Sequence, residues 1–230
     1  MNKLNCRQRV FLFVAALVAA AGLRPASAAT YIIDPRATTA TFDVRFLGLF
    51  PLHGKFLRTS GTLFYDRATK QGSIEVFIDT TALVAANAKA QALARGPEFF
   101  EVEKYPSMEF KSSRFVFDDS RLKFIEGSLT LVGNTQPVVL TVTDSRCDIA
   151  TEHESASCHA AAVLVVKRSA FGMKAWAHTV SEEVTIRIAI SARQASDYEP
   201  RGERSGAEAK ADSAPAAGGR ANAGDPQSPR

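Results

Sequence analysis

The sequence predicts an all-β, antiparallel fold, and three observations predict it. Residues 127–142 hold two runs of alternating apolar and polar side chains on either side of Gly133-Asn134-Thr135-Gln136-Pro137. A cluster of turn formers between two such runs marks a β-hairpin with one apolar face. Runs of the same period-two kind recur at residues 31–34, 39–47, 54–65, 73–80, 107–117, 121–132, 138–147, 158–167 and 183–192. Several of the connections between them, such as 66–72 and 118–120, have hairpin length. Eight or nine antiparallel strands with one apolar side each have two solutions, a sandwich or a closed barrel.

Taken in order, the chain opens on a segment that is not part of the fold. Lys3, Arg7 and Arg9 precede an apolar run over residues 10–23, and Ala26-Ser27-Ala28 supplies the small-x-small pattern of a cleavage site. Residues 1–28 are therefore expected to be a signal peptide, and the protein to be exported. Cys6 lies ahead of the apolar run, where it is not placed for lipid attachment. The segment contains four basic residues and no acidic one, so 24 Lys and Arg face 24 Asp and Glu in the remainder. That balance gives no electrostatic argument for nucleic acid or for an anionic membrane surface as partner.

The strand assignments rest on which residues alternate. Phe42, Val44 and Phe46 alternate with Asp43 and Arg45; Ile74, Val76 and Ile78 alternate with Glu75 and Phe77; Ile186, Ile188 and Val184 alternate with Thr185 and Arg187. Leu129 and Leu131 share one face of the hairpin strand, and Leu140 that of its partner. These sets predict the inward surfaces. The connection over 81–106 is longer, Ala-rich around 85–95 and broken by Pro97 and Pro106, which predicts one short helix and an irregular return. Residues 29–195 thus form one β-domain. From 196 to 230 the composition is Ala, Gly, Pro, Ser and charge without periodicity, which predicts a disordered, low-complexity tail.

Cys147 and Cys158 remain after the leader is set aside, an even number in an exported chain. Each stands at an edge of a predicted strand with a polar loop between, so a disulfide across the base of a hairpin is expected, worth roughly 3 kcal/mol by loop entropy. The four histidines, His53, His153, His159 and His178, show no His-x-Glu or His-Glu-x-x-His spacing. A Gly-x-Ser-x-Gly elbow and a phosphate-binding glycine loop are missing from the sequence. The expectation is a protein that is not an enzyme, needs no cofactor and holds no metal.

Four stretches carry a family resemblance. They are Tyr31-Ile32-Ile33-Asp34-Pro35; Gly96-Pro97-Glu98-Phe99-Phe100 leading to Lys104-Tyr105-Pro106 and Phe110; the hairpin at 127–140; and Lys167-Arg168-Ser169-Ala170-Phe171-Gly172-Met173. In this order and spacing the chain resembles the YceI-like family of periplasmic polyisoprenoid-binding proteins. The resemblance implies a lipocalin-like antiparallel barrel of about eight strands. It further implies an elongated apolar cavity for the tail of a polyisoprenoid lipid or isoprenoid quinone. The expectation is a periplasmic carrier or store, monomer or homodimer. An enzyme acting on the same ligand and a ligand-free structural barrel are the alternatives.

On that reading the cavity wall is expected from Phe42, Val44, Phe46 and Phe56, from Ile74, Val76, Ile78 and Phe110, and from Leu129, Leu131, Leu140, Ile186 and Ile188. For any one of Phe42, Val76 or Ile186 the alternative is a plain core residue, and it is the better reading of that residue alone because small barrels can fill themselves. Phe99 and Phe100 are candidates for a lid on the mouth or a plug in the core. Arg168, with Phe171 beside it, would meet a diphosphate or quinone oxygen, or else form a surface ion pair. The chain departs from the family pattern where members carry His or charged residues, having Ala37, Phe46, Ala90-Gln91 and Leu93 there. A forty-carbon tail at roughly 0.3 kcal/mol per atom would bring about 12 kcal/mol.

Overall fold

The computed structural model of the chain describes residues 28–151 and 154–197. The expected signal peptide, the expected tail and His153 lie outside these residues, apart from the few where the boundaries overlap. Eleven strands form a single antiparallel sheet that closes on itself: β1 (Ala29–Ile33), β2 (Thr39–Phe46), β3 (Phe50–Phe56), β4 (Thr59–Asp66), β5 (Gln71–Asp79), β6 (Leu83–Ala85), β7 (Ser107–Asp118), β8 (Arg121–Leu131), β9 (Asn134–Asp148), β10 (Ser157–Lys167) and β11 (Glu183–Gln194). The barrel is the solution taken, not the sandwich.

Eleven strands make only eight staves, because three staves are broken. β1 and β2 pair with the same edge of β11, at Ile33↔Ala192 and Thr39↔Ala189. The break between them holds Pro35, which has no N–H for the ladder, and Asp34, whose carboxylate accepts the Arg36 N–H at 2.9 Å. β3 and β4 pair in turn with β2 and β1, and β6 and β5 with β3 and β4. The result is an eight-stranded up-and-down barrel, closed by β1 against β11. Closure removes the free sheet edges that would otherwise invite pairing with other chains.

The strand predicted at 54–65 is thus two strands, bent at Leu57 and Arg58. The hairpin at 127–142 is tighter than its composition suggested. Leu131 pairs with Asn134 around a two-residue turn in which Val132 and Gly133 both have positive φ, 49° and 70°. Pro137 then lies inside β9. It is tolerated because β10 pairs with β9 only over residues 141–148, so at Pro137 no second neighbour needs its N–H. The side chains of Asn134 and Gln136 fill that gap, donating to Phe171 O and Ala170 O at 3.0 Å each.

The one α-helix among the described residues, α1 (Ala88–Arg95), follows β6. Asn87 caps it by accepting the Ala90 N–H at 2.9 Å, and Arg95 ties its last turn down by donating to Thr81 O. None of its side chains is fully buried. Among the described residues no helix is long and apolar enough to cross a membrane. Cys147 and Cys158 are directly opposite each other on β9 and β10 and are joined by a disulfide.

Candidate functional site

One end of the barrel interior is hollow. The cavity measures about 420 Å³, and its floor is a cluster of three rings, Phe42, Phe56 and Phe100, with every pair of centroids 5.5 Å apart. Val44, Phe46 and Leu52 continue the wall on β2 and β3, and Val184 and Ile186 on β11. Met108, Leu131 and Val166 complete it from β7, β8 and β10. Ala90, Leu93 and Ala94 of α1, at the i, i+3, i+4 spacing of one helix face, form part of the rim. Met173, Trp176 and Val180 form another part, on the connection between β10 and β11.

Arg168 organises that connection. It is 2% exposed and the only buried charged side chain among the described residues. Nε donates to Ser181 O at 3.1 Å, Nη1 to Met173 O at 2.7 Å and Ala175 O at 2.6 Å, and Nη2 to Val180 O at 3.2 Å. A rigid planar fork suits four carbonyls gathered from one loop. The guanidinium also lies 6.0 Å from the Phe99 ring, within cation–π range. Among the described residues no carboxylate pairs with it, so the expected surface ion pair is replaced by a buried cation at the cavity wall. Trp176 is fixed from the other side, donating from Nε1 to the Glu98 carboxylate at 2.6 Å.

The residues expected to line a cavity fall into two groups. Phe42, Val44, Phe46, Phe56, Leu131 and Ile186 border the hollow, as do Phe99, Phe100 and Arg168. Val76, Ile78, Phe110, Leu129 and Leu140 are buried core, with Ile188 packed against them. Ile74 borders a smaller cavity of about 210 Å³ at the other end of the barrel, beside the disulfide. Phe171 is buried behind the rim and does not border the large cavity. The middle is solid partly because Phe110 lies against Gly127, where a Cβ would sit 2.7 Å from its Cζ. Sequence reasoning missed Met108, Trp176 and the helix face, although Met108 shares the alternation of Phe110 and Trp176 is the chain's sole tryptophan.

Phe46, Ala90 and Leu93 all border the cavity. Its polar fringe is Asn87, Lys89, His53 and Arg168. His53 is hydrogen-bonded through Nδ1 to Asp43, which also pairs with Arg187. Among the described residues no group of three or more His, Cys, Asp or Glu is arranged to hold a metal ion.

A closed eight-stranded barrel with an apolar hollow at one end is the architecture of barrels that hold one small ligand. The sequence pattern of the YceI-like domain matches residues 31–192, and the chain belongs to that family. It is 33% identical over 118 residues to a UPF0312 protein of Vibrio cholerae, covering 50% of this chain and 62% of that protein. A UPF0312 protein of Pseudomonas savastanoi is 32% identical over 121 residues, covering 51% and 63% respectively. The match thus spans less than two thirds of these relatives. Among solved structures, Burkholderia cenocepacia BcnA superposes with a TM-score of 0.58 at 23% identity, over 69% of this chain and 98% of that one. A polyisoprenoid binding domain from Saccharophagus degradans, implicated in plant cell wall breakdown, superposes at 0.53 with 14% identity, over 73% and 99%. At these identities the likeness establishes the lipocalin-like fold.

Proposed function

We propose that this protein is an exported carrier or store for an isoprenoid lipid or isoprenoid quinone, which it holds without a chemical step. The tail occupies the cavity and the polar head lies at the mouth. The observation that carries this reading is the hollow itself, apolar on its walls, reached past Trp176 and α1, with a buried cation on its rim. The disulfide fits an oxidising compartment and supports a periplasmic location. The neighbour from Saccharophagus degradans, named as a polyisoprenoid binding domain, supports the ligand class.

The cavity volume adjusts the energetics expected from sequence. At about 30 Å³ per heavy atom, water's share of its liquid, it takes on the order of 14 atoms, about three isoprene units. At roughly 0.3 kcal/mol per atom these bring about 4 kcal/mol, a millimolar affinity. The earlier figure of about 12 kcal/mol required a fully buried forty-carbon tail. Tighter binding therefore draws on the mouth, where the charge of the buried Arg168 lies close behind the rim and Leu93 and Trp176 cover the tail that protrudes.

Titrating a short-tailed isoprenoid quinone in solution and following the emission of Trp176 tests the reading. Saturable quenching that fits a single site is the expected result; no quenching and no uptake would sink it. One arrangement favours a second reading. His53, held by Asp43 at the cavity edge, has the form of an oriented general base. An enzyme acting on the same ligand would convert the bound quinone or lipid and lose that turnover in His53→Ala.

A further inference from the structure

We propose that the tip of the β2–β3 hairpin, together with Trp176, docks the barrel mouth on a lipid bilayer. The inference rests on the cavity reading above and names the surface from which the cargo is exchanged. The tip is Leu47-Gly48-Leu49 followed by Phe50, and it breaks the usual chemistry of its turn. Leu49 N–H bonds to Phe46 O at 3.2 Å, while Leu47 and Gly48 both have positive φ, 51° and 70°. Such a turn favours Asn-Gly; a bulky Leu at positive φ is a genuine outlier. The chemistry of the turn therefore does not account for the Leu side chain.

That side chain, and those beside it, face solvent. Leu49 is 79% exposed, Phe50 58%, Leu47 52% and Trp176 44%. The cluster is continuous with the cavity: Phe50 pairs with the cavity residue Phe46, Leu47 N–H bonds to Thr179 O, and Trp176 itself borders the hollow. It is also convex, since a Cβ at Gly48 would have nothing within 4 Å. A second copy of the chain would need about 800 Å² of complementary surface on each side, which a projecting turn does not offer. A bilayer accepts such a tip by insertion, and Leu, Phe and Trp flanked by cations are the residues of an interfacial anchor. Arg45, Lys89 and Lys174 supply the cations; all three are exposed and, among the described residues, in no ion pair. A cargo longer than its cavity also needs an apolar path from membrane to mouth.

The test is sedimentation of the whole protein with phosphatidylethanolamine–phosphatidylglycerol vesicles, comparing the native chain with Leu47→Asn/Leu49→Ser. Asn takes the positive φ readily, so this variant keeps its denaturation midpoint, and neither residue borders the cavity. The native protein is expected to pellet with vesicles and its Trp176 emission to shift to the blue. The variant is expected to lose at least roughly tenfold in partitioning while its quenching by soluble quinone is unchanged. Vesicle binding that the variant retains would overturn the proposal, as would a native protein that takes up soluble quinone but ignores vesicles. Dimerisation abolished by the variant, without vesicle binding, would equally overturn it and assign the tip to a second copy. Vesicle binding without quinone uptake would instead count against the cavity reading and leave docking standing.

Discussion

The ring of Phe42 lies across the backbone of Gly54: a Cβ at residue 54 would meet Phe42 Cζ at 2.2 Å and Cε1 at 2.4 Å. Phe56 and Phe100 hold the ring from other sides, so the cavity floor exists because residue 54 has no side chain. Gly54→Ala should drive the ring into the hollow. The expected outcome is a loss of about 1–3 kcal/mol in stability and a fall of roughly tenfold in quinone affinity. Phe42→Leu placed in the same chain should recover part of both, read by urea denaturation and Trp176 quenching.

Arg168 should be indispensable to the rim. Arg168→Met strips the carbonyls of Met173, Ala175, Val180 and Ser181 of their shared donor. Charge-assisted bonds lost from buried acceptors should cost roughly 3 kcal/mol or more, with the urea midpoint lowered and the slope unchanged. Arg168→Lys should recover little, because an ammonium lacks the planar fork.

The disulfide should matter for stability and not for the ligand. Cys147→Ser/Cys158→Ser opens a link between residues 11 apart in sequence and should cost about 3 kcal/mol in the loop-entropy picture. These cysteines border the small cavity at the far end of the barrel, so the quinone titration should be unchanged while the protein remains folded.

Acid should destabilise the barrel through its outer face. The hydrogen bond from Lys111 holds Glu75 below its ordinary value of 4.5, and that from Arg114 does the same for Glu126. At Asp79 burial pushes the carboxyl up from 3.8, but the hydrogen bonds from Thr81 and Arg58 outweigh it and hold it down. Groups lowered on folding contribute stability that is fully present above their unfolded values and is lost as pH falls through the folded ones. Urea midpoints should therefore be flat with respect to these groups from neutral pH down to the mid-fours and decline below. Decline that begins near pH 6 would contradict this assignment.

How far the sequence reached can be argued from particular side chains. Alternation at Phe42, Val44 and Phe46 assigns an inward face, and the structure agrees, because period two is a property of the strand itself. The same alternation at Val76, Ile78, Phe110, Leu129 and Leu140 gave the face equally well but not the fate. Whether an inward residue meets a hollow or a packed core depends on its height along the barrel, which is set by register. Gly127 and Gly54 show why that was hidden: each lets a ring from the next strand lie flat, and only pairing reveals which ring. Arg168 was legible as a special cation but not as a buried one, since its four acceptors are backbone carbonyls of residues 173–181, which leave no mark in a sequence. The broken staves were half legible, in Pro35 but not at Leu57. Trp176 was missed because a lone tryptophan on a connection carries no period.

The central claim, that the hollow holds an isoprenoid, is tested most directly by extracting the protein purified from its own cell envelope with denaturing organic solvent and identifying by mass spectrometry whatever is released. A stoichiometric polyprenyl lipid or isoprenoid quinone is the predicted result. A lipid-free protein that also refuses added prenyl lipids and quinones would contradict the claim and leave a barrel whose role is structural.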